Sequence, residues 1–579
     1  MITAKGLSFG FGARELYKNI SFELDAGKHC ALIGGNGTGK TTLTDLICDP
    51  ERYIYSGKLL LDGVGRIGRV DQFATRDENQ DLTVLEMLRF DFEQLDEKIA
   101  QLCAEMEDAD DLETLLEQYQ QLLDESEAMD SDNREGNIHR QLHLAELEDK
   151  AALPLRLLSG GEYKLVQIIR QMLRRPGLLI MDEPDVFLDF ENLTGLRDLI
   201  NGYPGTMLVI THNRYILNHC FDRIWHLENG DLQEFDGNYT EYKLALLQTK
   251  IEAQETRQKE EAEIGRLEAM VERLRDAAEE VIDPAKGRTL RGKVAFMERL
   301  KARRVKAPFV EIRQPEIRLP VVETEEKKPL LQVSDLSISF DKPLLTDVNF
   351  SLEDGQKLAI VGANGSGKTS LLRLLHRGNS SHVRYCDHAK IGWFSQLQET
   401  IPQTGTIYQM FDLPNLETPE KIEIYLSKYG FEPDSLNRQV AKLSGGERNL
   451  LQLAKLCAGD SNLLLLDEPS SHLDTYAQIA LEQALRAYQG AVVMVSHDFY
   501  TISNCVDTIL YAENGTLRPM SPRAFRKMIY KHHFRQDYLE FETRKQALEV
   551  EIDKALQRND TPKARQLWEE LVALVEKLS

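Results

Sequence analysis

The octapeptide Gly34-Gly35-Asn36-Gly37-Thr38-Gly39-Lys40-Thr41 returns, with two substitutions, as Gly362-Ala363-Asn364-Gly365-Ser366-Gly367-Lys368-Thr369. Each copy follows a short apolar run, Ala31-Leu32-Ile33 or Leu358-Ala359-Ile360-Val361, and opens into helical spacing. Strand, glycine-rich loop, Lys-Thr and helix in that order make a phosphate-cradling P-loop. Glycines let the backbone curl until its N–H groups converge on a polyphosphate, and the new helix adds the positive end of its dipole. Lys40 and Lys368 supply a charge for the β- and γ-phosphates, and the Thr41 and Thr369 hydroxyls suit Mg2+. A glycine-rich surface loop would explain one copy poorly and two copies in the same setting hardly at all. The chain binds nucleotides twice.

The repetition extends well beyond the loops. Residues 1–243 and 329–522 carry one pattern, an internal duplication of alternating strands and helices that predicts two α/β domains. Each copy has an apolar strand leading to a glutamine, Gln72 or Gln396, then Leu-Ser-Gly-Gly-Glu at Leu158–Glu162 or Leu443–Glu447. A buried-strand run ending in Asp182-Glu183 or Asp467-Glu468 follows, and a last strand ends in His212 or His497. Leu158 and Leu443, Asp182 and Asp467, and His212 and His497 each lie 285 residues apart, whereas Gln72 and Gln396 lie 324 apart. The first copy therefore holds 39 extra residues between its glutamine and its Ser-Gly-Gly. Leu95, Ile99, Leu102, Met106, Leu112, Leu115, Leu116, Tyr119, Leu122 and Leu123 have helical spacing there, so the insertion reads as a helical arm over about 91–140.

Composition narrows the setting. A chain of 579 residues, 28% charged and 42% hydrophobic, suits several compact soluble units. No apolar run approaches the ~20 residues of a membrane helix. Met1–Gly6 lacks the apolar core of a signal peptide. Seven scattered cysteines without a CxxC pair suggest neither a disulfide framework nor structural zinc, which favours the reducing cytoplasm. The net charge of −24 conceals two opposite projections. Residues 91–149 hold twenty acidic and three basic side chains, whereas 284–307 hold nine basic side chains, among them Lys286, Arg288, Arg291, Lys293 and Arg299, against Glu298 alone. The acidic stretch reads either as a functional arm or as a solvated elaboration. The basic stretch suits a phosphate backbone or, more blandly, a solvated helix paired with acids elsewhere.

Between the copies, at 244–328, Ile264, Leu267, Val271, Leu274, Ala278 and Val281 form a heptad seam, which Asp283-Pro284 and Gly287 interrupt. Leu290, Val294 and Met297 resume it, so a long antiparallel hairpin with a basic return helix is expected. After residue 522, Tyr538, Phe541, Leu548 and Ile552 predict one helix. Thr561-Pro562 predict the N-cap and first residue of a second. This C-terminal extension, 523–579, is expected to dock on its own cassette.

The Leu-Ser-Gly-Gly-Glu, Asp-Glu and His series resembles the ATP-binding cassette superfamily over both copies. The resemblance implies ATP and Mg2+ as ligands. The cradles would be Gly34–Thr42 (Gly34, Gly35, Asn36, Gly37, Thr38, Gly39, Lys40, Thr41, Thr42) and Gly362–Ser370 (Gly362, Ala363, Asn364, Gly365, Ser366, Gly367, Lys368, Thr369, Ser370). Thr41, Gln72 and Asp182, and Thr369, Gln396 and Asp467, would attend the metal. Glu183 and Glu468 would polarise the attacking water as general bases, while His212 and His497 contact the γ-phosphate and Gln72 and Gln396 couple the metal to neighbouring movement. Phe11 and Phe340 sit where the family stacks an aromatic on adenine, though strand aromatics also serve as core. Ser159, Gly160 and Gly161 would complete the other copy's site, and Ser444, Gly445 and Gly446 the reverse, so that a monomer closes on itself around ATP.

Within that superfamily the chain is most similar to the ABC-F family. The features that carry this are the inserted arm, the charged linker, Ser496-His497-Asp498-Phe499-Tyr500 with Thr211-His212-Asn213-Arg214-Tyr215, and Phe235–Tyr242 ahead of the linker. The resemblance implies an ATPase that binds the ribosomal E site when closed on ATP, with its linker reaching toward P-site tRNA, large-subunit rRNA and the peptidyl-transferase centre. The acidic arm would suit a basic ribosomal stalk protein. Translation factor and antibiotic-resistance protein remain open, as does the ATPase subunit of an ABC transporter. Copy two keeps Ser470-Ser471-His472-Leu473-Asp474, close to the family's Thr-Asn-His-Leu-Asp, whereas copy one has Asp185-Val186-Phe187-Leu188-Asp189. Tyr163 likewise stands where copy two has Arg448. Two competent sites are expected, with equal and unequal rates both left open.

Overall fold

The computed structural model describes residues 1–11, 14–72, 81–106, 112–186, 188–280, 294, 315–320, 329–339, 343–396, 401, 404–411, 416, 418–533 and 538–577. Phe340, Phe187 and the five basic residues Lys286, Arg288, Arg291, Lys293 and Arg299 lie outside them, as does the expected return helix apart from Val294. The chain divides into two compact units: Met1–Asn238 with Gln314–Ile529, and Tyr239–Arg313 with Tyr530–Ser579.

The first unit contains both copies. Each has a six-stranded sheet in the same order, which in the first copy runs Ile67–Val70, Leu178–Asp182, Thr206–Ile210, His29–Ile33, Arg223–Glu228, Asp231–Asp236. Only the last strand is antiparallel. The second copy repeats it as Ile391–Phe394, Leu463–Asp467, Ala491–Val495, Lys357–Gly362, Thr508–Glu513 and Thr516–Met520. Parallel strands flanked by helices are apolar on both faces, and Leu178–Asp182, Thr206–Ile210, Leu463–Asp467 and Ala491–Val495 are buried at every position. Each copy adds a three-stranded antiparallel sheet, built in the first from Arg14–Leu24, Ile2–Phe11 and Ser56–Leu61. Leu43, Leu46 and Ile47, on the helix after the first P-loop, pack into the core beside Trp225 and so fix that loop on the sheet's carboxyl edge.

The insertion is helical, as its spacing predicts. Val84–Met106 buries Leu95 and Leu102, but Leu112–Ala128 buries none of its residues, and Leu112 and Leu116 are about half exposed. Leu115, Tyr119, Leu122 and Leu123 are half-buried on the face toward Val84–Met106, so its apolar spacing gives a helix that packs without reaching a closed core.

In the second unit, Tyr239–Glu280 is one helix of 42 residues, and Tyr538–Gln557 and Thr561–Glu576 pack beside its beginning. Leu247 and Ile251 meet Leu548, Ile552, Leu567 and Leu571; the Trp568 indole N–H donates to the Leu244 carbonyl at 3.1 Å; and Arg565 pairs with Glu255 at 2.8 Å. The C-terminal hairpin thus completes a three-helix core with the linker helix. Its second helix is capped one residue earlier than expected, by Asp560, whose carboxylate accepts from the Lys563 N–H.

Candidate active sites

Both P-loops end in a glycine with left-handed backbone, Gly39 at φ 99° and Gly367 at φ 92°, from which the helix starts. Lys40 Nζ donates to the Gly34 and Gly35 carbonyls at 3.0 and 2.9 Å, and Lys368 Nζ to those of Gly362 and Ala363, both at 2.8 Å. Thr41 Oγ1 donates to Asp182 at 2.8 Å and Thr369 Oγ1 to Asp467 at 3.0 Å. A hydroxyl and a carboxylate at the mouth of a phosphate cradle are hard oxygen donors, the set Mg2+ prefers. Tyr17 closes the first cradle from below, its hydroxyl donating to the Gly39 carbonyl at 2.5 Å. Phe11 is 58% exposed at the end of its strand, edge-to-face with Phe9.

Ser159 and Ser444 cap helices, and the glutamate three residues on completes a capping box. Glu162 and Glu447 accept from the serine N–H at 2.7 and 2.8 Å. Lys150 holds the first glutamate and Arg438 the second, residues the sequence reading did not single out. The motif is thus an anchored helix N-terminus, suited to receive an anion.

Each cap faces the other copy. The Asn36 N–H donates to Asp474 Oδ2 at 3.0 Å, and the Asn364 N–H to Asp189 Oδ2 at 2.9 Å. The remaining oxygen of each aspartate caps its own helix, Oδ1 of Asp189 accepting from the Asn192 N–H and that of Asp474 from the Ala477 N–H. The Asn36 side chain also donates to the His472 carbonyl at 3.2 Å, and a methyl group on Gly446 would meet Asn36 Nδ2 at 2.1 Å. A cleft of about 480 Å3 runs between the copies, lined by Gly160, Glu183 and His212 of the first and Lys368, Glu468 and His497 of the second. The two copies therefore meet head to tail, P-loop against Ser-Gly-Gly.

Electrostatically the sites differ. Glu183 and Glu468 both sit at positive φ, 44° and 50°, where backbone strain marks functional positions. Burial pushes Glu183 up, but a hydrogen bond to His472 and nearby positive charge outweigh it and hold its carboxyl near 2. Burial, reinforced by Asp467, pushes Glu468 to about 8. Burial also keeps His212 and His497 neutral, at about 4 and 3, and among the described residues His212 Nε2 and His497 Nδ1 have no hydrogen-bond partner. Unbonded buried ring nitrogens beside a phosphate cradle are groups a polyphosphate could satisfy. Gln72 Nε2 donates to Glu183 at 2.5 Å, and the buried Lys164 donates to the Asp71 and Gln72 carbonyls. Gln396 lines the cleft beside Glu468. Among the described residues no cluster of three His, Cys, Asp or Glu side chains could by itself hold a metal, and no helix could cross a membrane.

The family model for the ABC transporter matches residues 17–186 and 345–471, and a second model of the same description matches 225–319. YfmM of Bacillus subtilis, an uncharacterized ABC transporter ATP-binding protein, is 30% identical over 86% of this chain and 96% of its own. The probable ATP-binding protein YbiT of Escherichia coli O157:H7 is 29% identical over 88% and 96%. Among solved structures, the chain resembles ABCE1 in a model of ribosome-bound archaeal Pelota and ABCE1, with TM-score 0.52 and 19% identity over 90% of this chain and 80% of that one. It also resembles a complex of an archaeal ribosomal stalk protein with the recycling factor aABCE1, with TM-score 0.51 and 18% identity over 90% and 92%.

Proposed function

Because the chain belongs to the ATP-binding cassette family, as a tandem-cassette member of the ABC-F type, we propose that it hydrolyses ATP at two composite sites and uses closure around ATP to bind the ribosome. The observation that carries the reading is the reciprocal bond of each P-loop amide to the opposite aspartate, Asn36 to Asp474 and Asn364 to Asp189. Donors for one triphosphate then come from both cassettes, and loss of the γ-phosphate weakens the closed state.

In each site the P-loop amides and lysine bind the phosphates, and the opposite Ser-Gly-Gly helix N-terminus adds its dipole. Thr41 with Asp182, and Thr369 with Asp467, would hold Mg2+, which when bound neutralises developing phosphate charge. Glu183, and Glu468 once it is ionised, accept the proton of the attacking water. His212 and His497 donate toward the γ-phosphate, and Gln72 and Gln396 link each site to its neighbouring helices.

The ribosomal part of the reading rests on the ABC-F resemblance and on nine cations within residues 284–307, a density suited to a phosphate backbone. In this reading the protein is cytoplasmic, occupies the E site and presents its linker to P-site tRNA and the peptidyl-transferase centre, as a translation factor or a ribosome-protecting resistance protein. The acidic arm faces a basic ribosomal protein. Glu183→Gln with Glu468→Gln should stop turnover and, with ATP, trap the protein on pelleted ribosomes. Arg288→Glu, Arg291→Glu, Lys293→Glu and Arg299→Glu together should abolish that trapping. Turnover surviving the double Gln change at near parental rates overturns the general-base roles of Glu183 and Glu468. ATP turnover without pelleting favours a transporter subunit instead.

A further inference from the structure

The geometry points to His472 as a positioning residue supplied in trans: the second cassette lends its imidazole to the general base and glutamine of the first cassette's site, and the reverse loan cannot be made. The inference rests on the composite-site reading and goes beyond it, because it distinguishes the two sites by a named side chain.

His472 lies in the loop between Glu468 and the helix that Asp474 caps, and its φ of 57° is one that few residues other than glycine adopt. That conformation aims the residue two ways across the boundary. Its carbonyl accepts from the Asn36 side chain at 3.2 Å. Its ring Nδ1 lies 3.1 Å from Gln72 Nε2 and 3.4 Å from Glu183 Oε2, and Gln72 Nε2 also donates to that same carboxylate oxygen. The ring is 11% exposed. One residue thus touches the P-loop through its backbone and the water-activating pair through its ring, Nδ1 donating to Glu183 in one tautomer and accepting from Gln72 in the other.

The consequence is conditional assembly. Glu183 and Gln72 come from the first cassette, so without the second they lack one of the partners that fix their orientation. Seating the second cassette brings the imidazole to both. Closure and readiness of the base become one event at this site.

The other site is built differently. Position 187, which matches position 472 in the duplication, is phenylalanine, a residue type whose side chain carries no hydrogen-bonding atom. Among the described residues Oε1 of Glu468 accepts no hydrogen bond, and His497 Nε2 stands 3.6 Å from it. The first cassette's site is therefore the faster hydrolytic site, and the second holds nucleotide longer.

The test isolates the first site in a Glu468→Gln background. His472→Phe there should lower kcat about tenfold, the order of loss expected from a misoriented base, and leave KM for ATP within about twofold. His472→Asn, which keeps a hydrogen-bonding group, should recover part of the loss. Closure is read independently as the ATP-dependent distance between spectroscopic labels at Ile54 and Ile424, both exposed, and should be the same in all three proteins. In a Glu183→Gln background, Phe187→His should raise the second site's kcat. A His472→Phe kcat within twofold of its parent overturns the proposal, as does a kcat loss matched by loss of closure, which would make His472 interface packing only. A parent Glu468→Gln protein with no turnover at all would instead count against the composite-site reading itself.

Discussion

The guanidinium of Arg214 lies 4.2 Å from the ring centroid of Tyr500, an arginine of the first cassette stacked on a tyrosine of the second. Arg214 is 9% exposed and also pairs with Glu482 and, at 3.4 Å, with Asp498. It stands two residues after His212, and Asp498 directly follows His497, so this buried cluster joins the two histidine loops. Removing one partner of a buried ion pair leaves charge without compensation. Arg214→Ala should therefore destabilise the joined cassettes by about 3–5 kcal/mol, read in thermal unfolding. Arg214→Met with Glu482→Leu should cost distinctly less. Equal losses in the two proteins would mean that the charges are not coupled.

Gly446 faces Asn36 so closely that an added methyl group would lie 2.5 Å from the His472 carbonyl as well. Backbone there cannot yield cheaply, so Gly446→Ala should prevent proper seating and reduce kcat/KM for ATP by at least about tenfold. Gly136, in the helix Arg134–Leu144, has nothing within 4 Å of such a methyl. There Gly136→Ala should stabilise the protein by about 0.5–1 kcal/mol through helix propensity. Steady-state ATPase assays and melting curves on the pair separate steric from propensity effects.

Asp91 ties the foot of the arm to the Ser159-capped helix, accepting two hydrogen bonds each from Arg170 and Arg174 at 2.5–3.0 Å. Burial pushes its carboxyl up, but the two guanidiniums outweigh this and hold it near 2, below its ordinary 3.8. A depressed carboxylate stabilises the fold above its unfolded value and loses that contribution as pH falls through its folded one. The shift corresponds to about 2 kcal/mol, present at neutral pH and lost between about pH 4 and 2. Asp91→Asn should lower the melting temperature by a few degrees at pH 7, and the gap from the parent should narrow toward pH 2. A gap that does not change with pH would show that packing, not charge, carries the contact.

The sequence reveals what is local. P-loops, capping boxes and fully apolar strands are legible because a few neighbouring residues determine each. The helix Leu112–Ala128 was legible as a helix but not as one that buries no side chain fully, since spacing reports periodicity and not the depth of a partner. The C-terminal hairpin's attachment to Leu247 and Ile251 depends on contacts some 300 residues apart. His472 with Glu183 and Arg214 with Asp498, separated by 289 and 284 residues, join sites that neither copy shows alone. One signal was present in the duplication: positions 187 and 472 differ, as do 213–214 (Asn-Arg) and 498–499 (Asp-Phe). Such mismatches between otherwise matched copies mark the places where the halves specialise toward one another.

Asp189 and Asp474 divide their two oxygens, one for their own helix and one for the opposite loop. When the halves part, water can take over at the outward oxygen while the inward one keeps its helix wound. Each separation then forfeits contacts at the seam without melting either partner. In the proposed cycle, such a joint could be remade many times, since water can substitute its bonds while each helix keeps its own support.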